Sequence, residues 1–278
     1  MVSRIPVKAG FRFDPSRMDF YLPLTGICAA LPGPLIFTVL SLLTGFVPSG
    51  LTALTAVLVL TAQYLGFNLF HLDGLMDTAD AFWGTADREK RRDILKDSRI
   101  GVYGFFAGLA NLSLKGILLC ALLPFARRCP ALVFAYPLYG RFSAALVPGV
   151  CGPANPGGLG AITRDSRVYR CAGGIVLALL IWGPLVWGLT RGVERLLSPA
   201  AAPPPPFFPG LTGVEALPAL AVTALSLLVI CPLTALYYAR LYRKSLGGYT
   251  GDALGAAVET AELLCLAAAL GGVIAFGR

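Results

Sequence analysis

Residues Leu51–Gly84 read LTALTAVLVLTAQYLGFNLFHLDGLMDTADAFWG. As far as Phe70 the stretch has no charged side chain. Coiled as a helix at ~1.5 Å per residue, it is long enough to cross a hydrocarbon core of ~30 Å. Directly after it come Asp73, Asp77 and Asp80, spaced i, i+4, i+7. At 3.6 residues per turn, that spacing stacks the three carboxylates on one face within about two turns. Like charges so placed repel unless a cation sits among them. The hard oxygen ligands point to a divalent ion, Mg²⁺ holding a substrate phosphate. A solvated acidic helix face is the plainer reading. Its weakness is the apolar run next door, which puts the cluster at a membrane boundary.

The rest of the chain carries the same signal. Of its 278 residues, 56% are hydrophobic and 14% charged, and the mean hydropathy is +0.72. Soluble domains have ~25% charged residues. The fold class expected is therefore all-α, a polytopic membrane bundle. Apolar runs at 22–47, 51–70, 100–126, 131–150, 172–190, 214–238 and 253–276 suggest about seven transmembrane helices. Pro32 and Pro34 break the first run, and Arg141 interrupts the fourth. No cleavable signal is expected at the basic N-terminus, and no internal repeat is evident. Residues 1–278 read as a single membrane-embedded domain.

Basic residues set the orientation. One side gathers Arg4, Lys8, Arg12 and Arg17, the basic residues between Arg88 and Arg99, then Arg164, Arg167, Arg170, Arg240, Arg243 and Lys244. The other holds Arg127, Arg128, Arg191, Arg195 and Arg278. The bias places the N-terminus and the polar loops in the cytoplasm. A net charge of +8 then reflects topology and contact with lipid or an anionic substrate. No basic stretch is interleaved with exposed aromatics, which excludes a nucleic-acid partner. The 7 cysteines form no C-x-x-C pair and read as apolar fillers. Pro199–Pro209 reads as an extended linker on the far side.

Further groups are candidates for chemistry. Lys96-Asp97-Ser98-Arg99 alternates cation, anion, hydroxyl and cation just before a span, an arrangement suited to metal and phosphate together. Arg164 and Arg167 are further phosphate ligands, with positive-inside topology as the competing reading. The glycine pairs Gly157-Gly158 and Gly247-Gly248 would let backbone N–H groups approach a phosphate. Asp252 opens the last span, with Glu259 seven residues on along the same face and Glu262 deeper. Intramembrane carboxylates are functional by default, but pairing with Lys115 or Arg141 is the alternative. His71, the only histidine, has an ordinary pKa near ~6.5 that suits proton handling.

Three stretches, HLDGLMDTADAFWG (71–84), KDSRIGVYG (96–104) and GGYTGDALGAAVETAELL (247–264), resemble hallmark stretches of the cobalamin synthase family, as does RIPV at 4–7. Met76 and Ala81 stand where the family pattern has alanine and glycine, and they leave the carboxylates in place. The resemblance implies an Mg²⁺-dependent adenosylcobinamide-GDP ribazoletransferase in the bacterial inner membrane, its active site on the cytoplasmic side. Its partners would be adenosylcobinamide-GDP, α-ribazole or its 5′-phosphate, and membrane lipid. Homo-oligomerisation is left open. On this reading Asp73, Asp77 and Asp80 ligate metal, with Asp97 or Asp252 completing the shell. Asp80, Asp252, Glu259 or His71 handles the proton, and Lys96, Ser98, Arg99, Arg164 and Arg167 hold phosphate. The competing class is a transporter or channel with Glu259, Glu262, Lys115 and Arg141 as an ion path.

Overall fold

The computed structural model describes residues 17–44, 47–85, 87–155, 157, 163–197 and 216–276. The motif at 4–7, Gly158 and the linker at 199–209 lie outside them. Twelve helices are described: α1 (Met18–Ala30), α2 (Pro32–Thr44), α3 (Thr52–Gln63), α4 (Leu69–Trp83), α5 (Arg88–Ile94), α6 (Val102–Leu122), α7 (Pro130–Val133), α8 (Tyr136–Leu146), α9 (Val168–Leu197), α10 (Ala216–Leu225), α11 (Cys231–Leu246) and α12 (Gly251–Phe276). No strand occurs among the described residues. Among the described residues six stretches are long and apolar enough to cross a membrane: Met18–Thr44, Ser49–Trp83, Val102–Phe125, Val168–Gly192, Ala219–Leu246 and Gly251–Ala275. The protein is thus a multi-pass membrane protein.

The opening stretch behaves as its pattern requires. α3 and α4 join through a π-helical turn at Tyr64–Asn68 into one rod of 35 residues. Such a rod is ~52 Å long, well beyond the ~30 Å hydrocarbon core. One end must therefore project, and with Leu51–Phe70 filling the core it is the end bearing the aspartates.

The run expected at 131–150 takes a different form. It is a short helix α7, the 11-residue α8 and a 3₁₀ turn, too short to qualify as a span by itself. Every residue of α8 is buried, with α1, α9, α11 and α12 packed around it. It runs antiparallel to α9: the Trp182 indole donates to the Ala131 carbonyl at 2.9 Å, and the Cys171 thiol lies 3.3 Å from the Ala145 carbonyl. Shelter from lipid on all sides explains how this segment carries Arg141.

Arg240–Leu246, beyond the apolar run that ends at 238, is helical and completes α11. Ala239, Tyr242 and Leu246 on its inner face are buried, and Gly247 ends it at φ 86°. The beginning of α1, residues 71–85, 87–101, 151–155, 163–167 and 240–252 all gather at one end of the bundle. Contacts from α4 to α6 and α12, from α5 to α11 and from α1 to the start of α9 tie them together.

Candidate active site

Two helices cross at glycines to form the centre of this end. A Cβ built on Gly74 of α4 would sit 2.9 Å from the Asp252 carbonyl oxygen, and one on Gly255 of α12 would sit 2.9 Å from that of His71. Only side chains without Cβ allow backbones so close. The crossing brings Asp252 into electrostatic range of Asp73 and Asp77. Asp73 is exposed, and Asp77 and Asp252 are half-buried. Thr250 donates to Asp252 at 3.0 Å. Among the described residues no cation or hydrogen-bond donor pairs with Asp73 or Asp77. Behind them, the hydroxyls of Thr78 and Tyr242 meet at 2.7 Å and brace α4 on α11.

Asp80 is placed differently from its expected role as metal ligand or base. Its two oxygens accept the backbone N–H groups of Gly101 and Gly104, both at 2.8 Å. It therefore caps the start of α6 from a neighbouring helix, and the positive end of that helix favours its charge. A Cβ on Gly101 or Gly104 would approach the Asp80 carboxylate to 2.4 or 2.2 Å. The glycines following KDSR thus make room for this carboxylate.

The loop held there is Lys96-Asp97-Ser98-Arg99. Asp97 is expected as a metal ligand but turns to its own neighbour: the Arg99 guanidinium donates to both of its oxygens, the shortest bond 2.6 Å. These bonds hold the Asp97 carboxyl below the usual carboxylate range and raise Arg99. Asp97 is not among the charges that act on Asp77. Lys96, Ser98 and Arg99 are exposed.

Arg164 and Arg167 lie in the second loop, both exposed. Arg164 is 3.7 Å from Asp165, a solvent-exposed pair. This loop is stitched to the one before α12. Tyr249 N–H donates to the Gly152 carbonyl at 3.0 Å and Ala154 N–H to that of Tyr249 at 2.8 Å. The Thr163 and Tyr249 hydroxyls meet at 3.1 Å. Gly248 abuts the Gly152–Ala154 backbone, so Gly247 and Gly248 serve a helix stop and a loop contact, not a phosphate cradle. Sequence reading missed Asp19. Buried at the start of α1, it accepts the Arg167 backbone N–H at 2.7 Å and faces Arg170 at 3.7 Å. Its signal was an acid in the first turn of an apolar helix.

Glu259 and His71 face away from this centre. Seven residues beyond Asp252, or ~10 Å along the helix, Glu259 is fully buried with Glu262. Lys115 bridges the two acids at 2.7 and 2.6 Å, and Arg141 pairs with Glu262. Asn68, Tyr64 and Asn111 donate to the same carboxylates. Two acids and two bases close the charge. Glu259 is a structural partner here, not a group presented to substrate. His71 is buried within electrostatic range of Arg141 and Lys115, its Nδ1 bonded to nothing. Lying behind the α4–α12 crossing, it is not aimed at the aspartates.

The family model of cobalamin-5-phosphate synthase matches residues 1–270. The chain belongs to the cobalamin-5-phosphate synthase family. It is 33% identical to the adenosylcobinamide-GDP ribazoletransferase of Azorhizobium caulinodans, over 99% of this chain and 93% of that protein. The protein of the same name from Shigella boydii is 31% identical, over 97% of this chain and 96% of the relative. No solved structure shows significant similarity. A transporter is not supported: the matches are to transferases, and the residues of the supposed ion path are a closed, buried set of ion pairs.

The stretches 71–84 and 96–104 and the beginning of 247–264 meet at this one end of the bundle. Met76, one of the departures, lays its thioether against Gly108 of α6, and Ala81 is fully buried. The family's expected Mg²⁺ fits the donor set in kind. Asp73, Asp77 and Asp252 offer hard oxygens with no competing cation, and magnesium keeps several waters or phosphate oxygens of its own. As placed, no three such groups among the described residues converge on one point.

Proposed function

We propose that the chain transfers the cobinamide phosphate of adenosylcobinamide-GDP to α-ribazole or its 5′-phosphate, releasing GMP and forming adenosylcobalamin or its 5′-phosphate. The observation that carries this reading is the crossing of α4 and α12 at Gly74 and Gly255, which sets Asp252 beside the uncompensated Asp73 and Asp77. Basic loops lie on either side.

The ribose hydroxyl of the acceptor attacks the phosphorus bearing the cobinamide arm. A new P–O bond forms, the phosphoanhydride bond breaks, and its electron pair leaves on the GMP phosphate. Such a transfer needs positioning and charge compensation more than covalent help. Asp73 and Asp77 would hold magnesium together with substrate phosphate oxygens, and the ion when bound supplies Lewis-acid compensation for phosphate charge. Asp252, which accepts a hydrogen bond from Thr250 at 3.0 Å, would take the hydroxyl proton. Lys96 and Arg99 would compensate the diphosphate, Arg as a fork and Lys as a point charge. Asp80 keeps their loop in place.

We further infer a bacterial inner-membrane location with seven traverses, counting the buried segment 130–149, and with the catalytic end in the cytoplasm; the bias of Lys and Arg to that end supports it. Purified protein in detergent, given donor, acceptor and Mg²⁺, is expected to release GMP stoichiometrically with product. No GMP from either acceptor, with the protein folded, would overturn the reading.

A further inference from the structure

The tetrapeptide Lys96-Asp97-Ser98-Arg99 has a counterpart in Arg164-Asp165-Ser166-Arg167, so a local pattern of base, Asp, Ser and Arg recurs along the chain. Each copy ends at the start of a long helix, α6 in one case and α9 in the other. Each is fastened by a carboxylate from another helix: Asp80 receives Gly101 and Gly104, and the buried Asp19 receives Arg167. Within each copy a guanidinium lies near the loop's own aspartate, Arg99 at 2.6 Å from Asp97 and Arg164 at 3.7 Å from Asp165. The second basic group of each copy, Lys96 or Arg167, has no carboxylate partner among the described residues. In the second copy the Ser166 hydroxyl is buried and has no hydrogen-bond partner among the described residues. A buried hydroxyl without a partner is costly, and a ligand oxygen would satisfy it.

Both loops are tied to segments next to the carboxylate centre. Asp80, one turn beyond Asp77 on α4, binds the first loop. Tyr249, three residues before Asp252, bonds to Thr163, and Thr163 leads straight into Arg164. A transfer between two phosphate-bearing substrates needs this arrangement: the reacting diphosphate at the centre, and the acceptor's unreacting phosphate held to one side.

Resting on the transferase reading above, we propose that Arg164, Ser166 and Arg167 form a second phosphate subsite, for the 5′-phosphomonoester of the acceptor, while Lys96 and Arg99 serve the diphosphate of the donor. The first loop is bonded to the aspartate helix itself, so it belongs to the phosphate that reacts. The second is one loop removed and suits a phosphate separated from the attacking hydroxyl by a ribose ring. Two arginines match a dianionic monoester by bidentate bonds.

The test is acceptor selectivity, the ratio of kcat/KM for α-ribazole 5′-phosphate to that for α-ribazole. Arg164→Gln and Arg167→Gln are expected to lower this ratio about 10- to 100-fold, the loss of one or two charge-assisted bonds. Arg167→Lys, which keeps the charge, should lower it less. Lys96→Gln and Arg99→Gln should instead raise the donor KM and leave the ratio where it was. An unchanged ratio in both Arg164→Gln and Arg167→Gln, or a ratio that falls only in the Lys96 and Arg99 variants, would overturn the subsite. Failure of the wild-type protein to turn over either acceptor would instead remove the transferase reading itself.

Discussion

At the scale of single residues, the three aspartates that share one helix face have different work. Among the described residues Asp73 and Asp77 have no partner that neutralises them, whereas Asp80 is spent on the first turn of α6. Asp77→Asn is therefore expected to lower kcat by about 100-fold or more and to raise the Mg²⁺ concentration needed for half activity. Asp80→Asn keeps one good acceptor oxygen, so it should cost stability and positioning without moving the Mg²⁺ requirement. Titrating Mg²⁺ against initial rate in both variants checks this. An equal shift in the two would place Asp80 among the ligands. Asp80→Ala leaves two backbone donors without partners, at about 1–3 kcal/mol each where they are buried, and should lower the melting temperature in detergent further than Asp80→Asn does.

At the scale of elements, the crossing of α4 on α12 has no spare room. Adding a methyl at Gly74 or Gly255 drives a carbon to 2.9 Å from a backbone oxygen of the facing helix. Gly74→Ala and Gly255→Ala should therefore spread the aspartates and cost about 100-fold in kcat/KM, since ångström-scale misplacement is that expensive. Gly66→Ala, whose Cβ meets nothing within 4 Å, is the control and should be near wild type. Below the crossing, the Lys115–Glu259–Glu262–Arg141 cluster fixes how α6, α8 and α12 sit together, with Tyr64 and Asn68 of the turn before α4 bonded to the same acids. Lys115→Met strands a buried acid, at about 3–5 kcal/mol. Thermal unfolding in detergent should show that loss, and adding Glu259→Gln should recover part of it. No recovery in the double variant would mean that the two residues are not energetically coupled.

At the scale of the whole molecule, the polar loops share one end, and topology follows from the positive-inside bias. Glu89, Asp165 and Arg243 are exposed at that end and Arg128 at the other. In a background without native cysteines, Glu89→Cys, Asp165→Cys and Arg243→Cys should resist a membrane-impermeant thiol reagent in intact cells and react once the membrane is opened. Arg128→Cys should label from outside. The reverse pattern would invert the protein and put the catalytic end on the other face.

The sequence by itself determined the class of the molecule and which aspartates stack on one helix face. A run from Leu51 to Phe70 without charge admits little but a spanning helix, and three aspartates at i, i+4, i+7 must share its face; both follow from local geometry, independent of partners. The family resemblance rested likewise on contiguous stretches. Tertiary structure alone decided which carboxylates serve together. Helical spacing aligns Asp252 with Glu259 on α12, yet the glycine crossing takes Asp252 to the site while Lys115 and Asn68, from distant segments, claim Glu259. Spacing also could not separate Asp80 from Asp77, because the difference lies in the N–H groups of Gly101 and Gly104, more than twenty residues on. Pairing between segments far apart in sequence, over a few ångströms in a low-dielectric interior, determines whether a buried charge is neutralised or left for a ligand.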